Sequence, residues 1–404
     1  MIYILTFFSI IYLLLILKRV KKYKYNQKQN YMYDLQTKAT CKNHDTSFLE
    51  IKLYPTLCSY IFKPYICVDG VKTFFEYGAK GVRYINISHV KDKTPKPHFI
   101  KIDKKTKIFN FKNEIDLNKK ILILSPHADD AEIASFGLYN VAKDVTIVTT
   151  TIGENGNQNY KKSYNNTLQA TLKKAQLRTL DALCTPFLGG VEFSNTLTLG
   201  YNGGSLQPLK NKQEFKTTLK DITPFRKTKH SCIKLPDVTK PTYETFLNDI
   251  NEIVKQLQPE IIITPHPQID SHPDHKQTTL TLLEVLKQSN LNPTLLLYTN
   301  HLQLSETYPL GNIGSSITLP PNKEDFIFNS IYSFKLDQQN QTDKFFALEN
   351  IHDLRDSYLQ TNIKSIYKHL IKLIKRKITS KDKSYYKRAI RDNELFFVAT
   401  KEDF

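Results

Sequence analysis

The chain has 404 residues, with 57 lysines and arginines against 39 aspartates and glutamates, a formal net charge of +18, and 40% hydrophobic residues. This composition excludes a collagenous, disulfide-dense or wholly disordered protein, and the length fits one large domain or two smaller ones. Five scattered cysteines without a Cys-x-x-Cys spacing point to a reducing compartment and away from a thiolate zinc site.

Residues 2–17, IYILTFFSIIYLLLIL, carry no charge. At ~1.5 Å per residue they span about 24 Å, so Val20 and snorkelling Lys18 and Arg19 are needed to cross a bilayer. No basic stretch precedes the run and no small-residue cleavage site follows it, which argues against a secretory signal. A membrane anchor over 1–20 is therefore expected, with a buried N-terminal helix as the alternative. Lys18, Arg19, Lys21, Lys22, Lys24 and Lys28 come next. By the positive-inside rule they put the rest of the chain on the cytoplasmic side of an inner membrane, against anionic headgroups.

Residues 21–47 read as a basic and polar neck. From 48 to 119, short runs such as VRYINI and KIFNF broken by Gly, Pro and Asp predict a small β-rich module, for which packing is the simplest role and contact with a glycan the alternative. From 120 to 404 apolar runs alternate with helix-length amphipathic stretches. ILILS at 121–125, VTIVTT at 145–150 and IIIT at 261–264 read as strands. Phe246, Leu247, Ile250, Ile253, Val254 and Leu257 repeat at helical spacing before Pro259. The expected fold is α/β, a Rossmann-like and mostly parallel sheet flanked by helices, with its ligand site at the strands' carboxyl ends.

Residues 210–240, basic and turn-rich, read as an insertion or mobile loop. Ile363, Ile366, Tyr367, Leu370, Ile371 and Ile374 form an apolar stripe on a Lys-rich helix, read as core-packed, with docking on an anionic membrane as the sharper alternative. The 23 tyrosines and 23 phenylalanines follow no nucleic-acid recognition motif, so no nucleic-acid partner is expected.

Two predicted strands end in clusters of one chemical kind: Ser125-Pro-His-Ala-Asp-Asp-Ala-Glu132 and Thr264-Pro-His-Pro-Gln-Ile-Asp-Ser-His-Pro-Asp-His275. Imidazole and carboxylate without cysteine is the donor set of a catalytic zinc, with three protein ligands and an open position. If Pro273 starts a helix, His272 and His275 share a face.

These motifs, His127-Ala128-Asp129-Asp130-Ala131-Glu132 and His272-Pro273-Asp274-His275, resemble those of the PIG-L or LmbE-like metal-dependent de-N-acetylases, from about residue 120 to 352. Alanine stands where the first motif usually has proline. The resemblance implies that His127, Asp130 and His275 bind Zn2+, with Fe2+ as the alternative metal, and that Asp129 is the general base. It further implies that His272 stabilises the oxyanion and that Asp274 orients it. TIGENGN at 151–157, Arg178-x-x-Asp181 and Leu188-Gly189 resemble further family patterns and suggest Arg178, Glu154 and Asn202 as substrate-binding residues. Asp181 replaces the family's Glu, and Asn202 stands where an aspartate is common. With three ligands assigned, His266 is left as a pocket residue behind them.

The family's usual substrate is an N-acetylglucosamine unit in a glycoconjugate. Together with the anchor and the basic segments, the resemblance suggests a lipid-linked or lipopolysaccharide-core amino sugar. The alternatives are a soluble amino sugar or sugar nucleotide and, in another class, a non-catalytic membrane-anchored glycan-binding protein.

Overall fold

The computed structural model describes residues 3, 6, 7, 9, 10, 23, 25–27, 32–34, 45–103, 106–156, 160, 164, 166–302, 308–321, 327–354, 367, 370, 371 and 385–404. The fold is mixed α/β. The first strands are β1 (Asn26–Gln27), β2 (Met32–Asp34), β3 (Thr46–Pro55), β4 (Tyr65–Val68), β5 (Val71–Phe74), β6 (Gly81–Asn86), β7 (Lys96–His98), β8 (Ile100–Ile102) and β9 (Lys107–Phe111). They are followed by β10 (Lys120–Ser125), β11 (Asp144–Thr151), β12 (Thr196–Tyr201), β13 (Ile261–Pro265), β14 (Thr294–Tyr298), β15 (Ile327–Phe328), β16 (Ser330–Lys335) and β17 (Asn393–Ala399).

The β-rich module is two antiparallel layers. One runs β2-β9-β3-β6, with β8 on the far half of β3; the other is β5-β4-β7. Strict alternation along β3 explains the layering. Leu49, Ile51 and Leu53 point into a core with Ile66, Val68, Ile85 and Ile87. Phe48, from the opposite face, joins Tyr84, Phe109 and Phe111 against Phe328 and Phe397 of the main sheet.

The expected neck is tied into this packing where it is described. β1 pairs parallel with β15, β2 pairs antiparallel with β9, and the Tyr23 and Tyr25 rings are buried. These backbone bonds and buried rings leave the described part of 21–47 as structure rather than free linker.

The main sheet has the order β12-β11-β10-β13-β14-β17-β16. The first five strands are parallel, and β17 runs antiparallel to both its neighbours. Alternate residues feed two helical layers. Ile121, Ile123, Ile261 and Ile263 meet Phe136, Leu138 and Ala347 on one side. Leu122, Leu124 and Ile262 meet Phe246, Ile250, Ile253, Leu282 and Leu286 on the other. The predicted stripe on helix Tyr243–Leu257 is the face that is buried, and a Thr242/Thr245 capping box starts the helix. Each such aliphatic or aromatic side chain contributes roughly 1.5–3 kcal/mol. From β10 the chain winds outward through β11 and β12, then returns beside β10 at β13 and winds the other way. The crevice between the carboxyl ends of β10 and β13 is the switch point where such sheets bind ligands.

Two residues within 210–240 contact the main sheet and its helical layer. Arg226 makes a bidentate pair with Asp249 at 2.7 and 2.8 Å, and Lys227 bridges to Thr198. That buried pair ties Arg226 to helix Tyr243–Leu257.

Among the described residues no helix is long and apolar enough to cross a membrane, so the anchor expected over 1–20 has no support from them; most of that run lies outside the described residues. The C-terminal stripe also lies largely outside them. Its described members Tyr367, Leu370 and Ile371 are helical and exposed, in contrast to the core-packed expectation.

Candidate active site

The site is assembled at the switch point by two strand-to-helix turns. After β10, the Ser125 hydroxyl donates to the His127 carbonyl at 2.5 Å and accepts the Ala131 N–H at 3.1 Å. The His127 N–H donates to Asp130 Oδ2 at 2.9 Å, which folds the Asp130 carboxylate back beside the His127 ring. After β13, Pro273 starts a helix, Pro273–Gln288, as its fixed φ predicts. His272 caps that helix, its Nδ1 accepting the Asp274 N–H at 3.2 Å, and His275 lies in the first turn.

Three donor atoms meet between the turns. Asp130 Oδ2 lies 3.1 Å from His127 Nδ1 and 3.0 Å from His275 Nε2, and these nitrogens are 3.2 Å apart. Four ligands around a zinc with bonds of ~2.0–2.1 Å stand about 3.3 Å from one another in tetrahedral geometry. The far side of each ring is held by a carboxylate: His127 Nε2 lies 3.3 Å from Asp274, and His275 Nδ1 lies 3.1 Å from Asp270. If those outer nitrogens carry the protons, both lone pairs face the centre of the triangle. The residues present therefore fit a divalent ion.

Electrostatics agree with that fit. Burial disfavours a charged His127, yet its bonds to Asp130 and Asp274 outweigh burial and raise it to about 9. Burial likewise opposes charge on His275, but Asp130 and Asp270 hold it well above the ordinary histidine range. Asp130 is held well below the usual carboxylate range, since the two histidines outweigh its burial. The cluster attracts positive charge. His272 differs: burial, then the neighbouring His127 and His275, pull it down to about 4, leaving a neutral ring with Nδ1 occupied and the proton on Nε2.

Asp274 departs from its expected role. Its carboxylate accepts the Gly204 N–H at 2.6 Å and meets His127 at 3.3 Å. Because the cap on His272 is made by the Asp274 backbone, the side chain is free to orient His127 instead.

Asp129, the N-cap of helix Asp130–Tyr139, is paired with Arg178 at 2.9 Å. Arg178, expected at the substrate, is also bound to Asp353 at 3.0 Å, and Lys174 and Tyr160 complete that pair at 3.2 and 2.7 Å. Gly153 has φ +66°, and a Cβ there would lie 2.8 Å from Arg178 Nε, so only glycine fits. Glu154 and Asn202 are brought together. The Glu154 carboxylate accepts Asn202 Nδ2 at 3.2 Å and the Gly203 N–H at 2.9 Å, clasping the two loops whose Gly204 holds Asp274. Asn157, the last residue of the predicted glycine loop, lies outside the described residues. Asp181 meets His352 Nδ1 at 2.6 Å.

His266 is buried against Phe397, with ring centroids 5.1 Å apart, and its Nδ1 accepts the Gln268 and Ile269 N–H groups at 3.2 Å. Burial pulls it down to about 3; it braces the loop behind the ligands. Sequence reasoning missed Asp270, Asn300, His301 and Asp353. Asn300 Nδ2 donates to Asp130 Oδ1 at 2.8 Å, and ligand atoms of Asp130, His275 and His301 lie within 4.8 Å of one another. The signal available for Asn300 and His301 was their position just after an apolar strand, TLLLY.

Residues 122–286 match the family model of PIG-L, the GlcNAc-PI de-N-acetylases. Over those residues the chain is similar to that family. No curated protein matches the sequence. Solved structures similar to this chain include N,N'-diacetylchitobiose deacetylase from Pyrococcus horikoshii, at 18% identity over 72% of this chain and 89% of that one, TM-score 0.37. A deacetylase of the A40926 pseudoaglycone is similar at 17% identity over 70% and 98%, TM-score 0.36. A 4-carboxy-2-hydroxymuconate hydratase from Pseudomonas putida is similar at 12% over 70% and 95%, TM-score 0.35.

Proposed function

We propose that the chain hydrolyses the acetamide of an N-acetylglucosamine-type unit in a membrane-linked glycoconjugate, a lipopolysaccharide core or another envelope glycan precursor. The observation that carries the chemistry is the triangle of His127 Nδ1, Asp130 Oδ2 and His275 Nε2, with edges of 3.0–3.2 Å, next to an Asp129 clasped by Arg178. These three residues hold the metal, Zn2+ with Fe2+ as the alternative. When bound, the ion supplies a Lewis acid for the amide carbonyl and lowers the pKa of a coordinated water toward ~7.

Asp129 takes the proton of the attacking water and delivers it to the leaving amine. Arg178 fixes the carboxylate for both steps, so its role is positioning. His272, neutral and with Nε2–H free to donate, stabilises the oxyanion. Asp274 and Asp270 aim the two histidine ligands. The membrane part of the reading rests on the apolar run 2–17 and the basic cluster behind it, with the catalytic domain on the cytoplasmic face of an inner membrane.

The test is release of free amine from lipid-extracted N-acetylglucosamine conjugates by the purified chain, with and without zinc. Asp129→Asn is expected to lower turnover by about 10²–10⁴ while metal content stays stoichiometric; His275→Ala is expected to lose the metal. Metal retention in His275→Ala would overturn the ligand assignment, and undiminished turnover in Asp129→Asn would overturn the base.

A further inference from the structure

We propose that the outward face of the three-stranded sheet, with the short helix beside it, docks on an anionic phospholipid bilayer. This deepens the membrane part of the proposed function and is independent of the chemistry at the metal site. The face follows from strand register. Ile66 and Val68 of β4 point inward, so Tyr65 and Cys67 point outward. Tyr65 stands between Phe74 and His98, and Cys67 between Lys72 and Lys96. An aromatic row, whose Phe74 end packs against Gly311, and a lysine row thus lie side by side, and Lys72 Nζ sits 5.4 Å from the centre of the Tyr65 ring.

Beside the aromatic row, helix Leu57–Ile61 leaves Leu57 87% and Ile61 65% exposed, and Phe62 follows at 52%. Phe99 has φ +60°, a conformation an aromatic residue rarely adopts. Its carbonyl accepts the Thr56 hydroxyl at 2.6 Å, and its ring stacks on Phe62 at 5.1 Å. The backbone is thus held in an unfavourable region with an apolar ring 42% exposed.

The arrangement selects among occupants. Sugars stack on open aromatic faces, but Phe62 and Phe99 cover each other and His98 lies flat on Tyr65 at 4.4 Å. What projects is aliphatic, Leu57 and Ile61, bordered by exposed Lys72 and Lys96. Apolar tips that enter the acyl boundary and lysines that reach anionic headgroups are the pattern of an interfacial contact. A contact patch also explains an exposed apolar cluster of this kind.

The chain has no tryptophan, so Phe62→Trp in the full chain is a single-site reporter. With phosphatidylserine-containing vesicles its emission is expected to shift to the blue and to be quenched by brominated acyl chains, while Leu180→Trp on helix Thr167–Cys184 is not quenched. Vesicle-bound protein whose reporter is untouched by brominated lipid, absence of vesicle binding, or equal quenching in purely neutral vesicles would each overturn the proposal. Leu57→Asp combined with Ile61→Asp, introduced into the Phe62→Trp chain, is expected to lower quenching by brominated acyl chains several-fold with amine release from a soluble N-acetylglucosamine substrate intact. Undiminished quenching in that variant overturns the docking surface. Absence of amine release from the unmodified chain strikes the catalytic reading alone.

Discussion

The carboxyl edge of the main sheet and the outward face of the three-stranded sheet use the same residue types in opposite ways. At the first, His127, His272 and His275 are gathered among carboxylates, with His275 and Asp270 fully enclosed. At the second, His98 lies flat on Tyr65 at the surface and lysines line the margin. Enclosure removes water and raises the strength of each charge interaction, so the first cluster has to be satisfied by partners or by an ion. The second is solvated, so its lysines need no fixed partner and remain available to another surface.

That contrast is most severely tested where a buried charge supports the site from behind. Lys344 is fully enclosed and pairs with Glu394 at 2.7 Å, while Glu394 accepts the Gly137 and Leu138 N–H groups. Lys344→Met leaves that carboxylate without its cation under helix Asp130–Tyr139. A loss of about 3–5 kcal/mol in denaturant unfolding is expected; a change within the error of unfolding curves would show that enclosure does not govern this edge.

Asp270→Asn acts nearer the metal and more gently. The His275 ring keeps its place but loses the carboxylate on Nδ1, and metal affinity is expected to fall roughly 10–100-fold by competition with a chelator. An unchanged affinity would mean that the Asp270 pair is packing only.

A third effect is graded with pH, small at each step. His266 is held near 3 by burial, below its value in the unfolded chain. As pH falls below ~6.5 the unfolded chain binds a proton there that the folded chain refuses, so stability drops until pH nears 3, on the order of 1 kcal/mol per pH unit. His266→Asn is expected to flatten that part of the stability profile relative to the parent; parallel profiles would show that His266 is not the group responsible.

The parallel sheet was legible because ILILS, VTIVTT and IIIT are uniform apolar runs, as doubly covered strands must be. The two His/Asp clusters were legible because each follows such a run directly. Asp353 was not, since it reaches Arg178 from a segment 175 residues away with no local pattern to mark it. Asp274 was read as the partner of His272, its neighbour in sequence, whereas the helix cap turned its side chain to His127.

Sequence alone therefore determined β10, β11 and β13 of the main sheet, the helix start at Pro273 and the identity of the residues in the two motifs, because those depend on local periodicity and on proline's fixed φ. Tertiary structure decided which atoms face one another. The order β11-β10-β13 brings His127 to His275, burial chooses which carboxylate each histidine meets, and the pairing of β4 with β5 and β7 sorts Tyr65 and the lysines to the outside. Those outcomes depend on long-range packing, where a one-residue change of register would send every side chain to the opposite face.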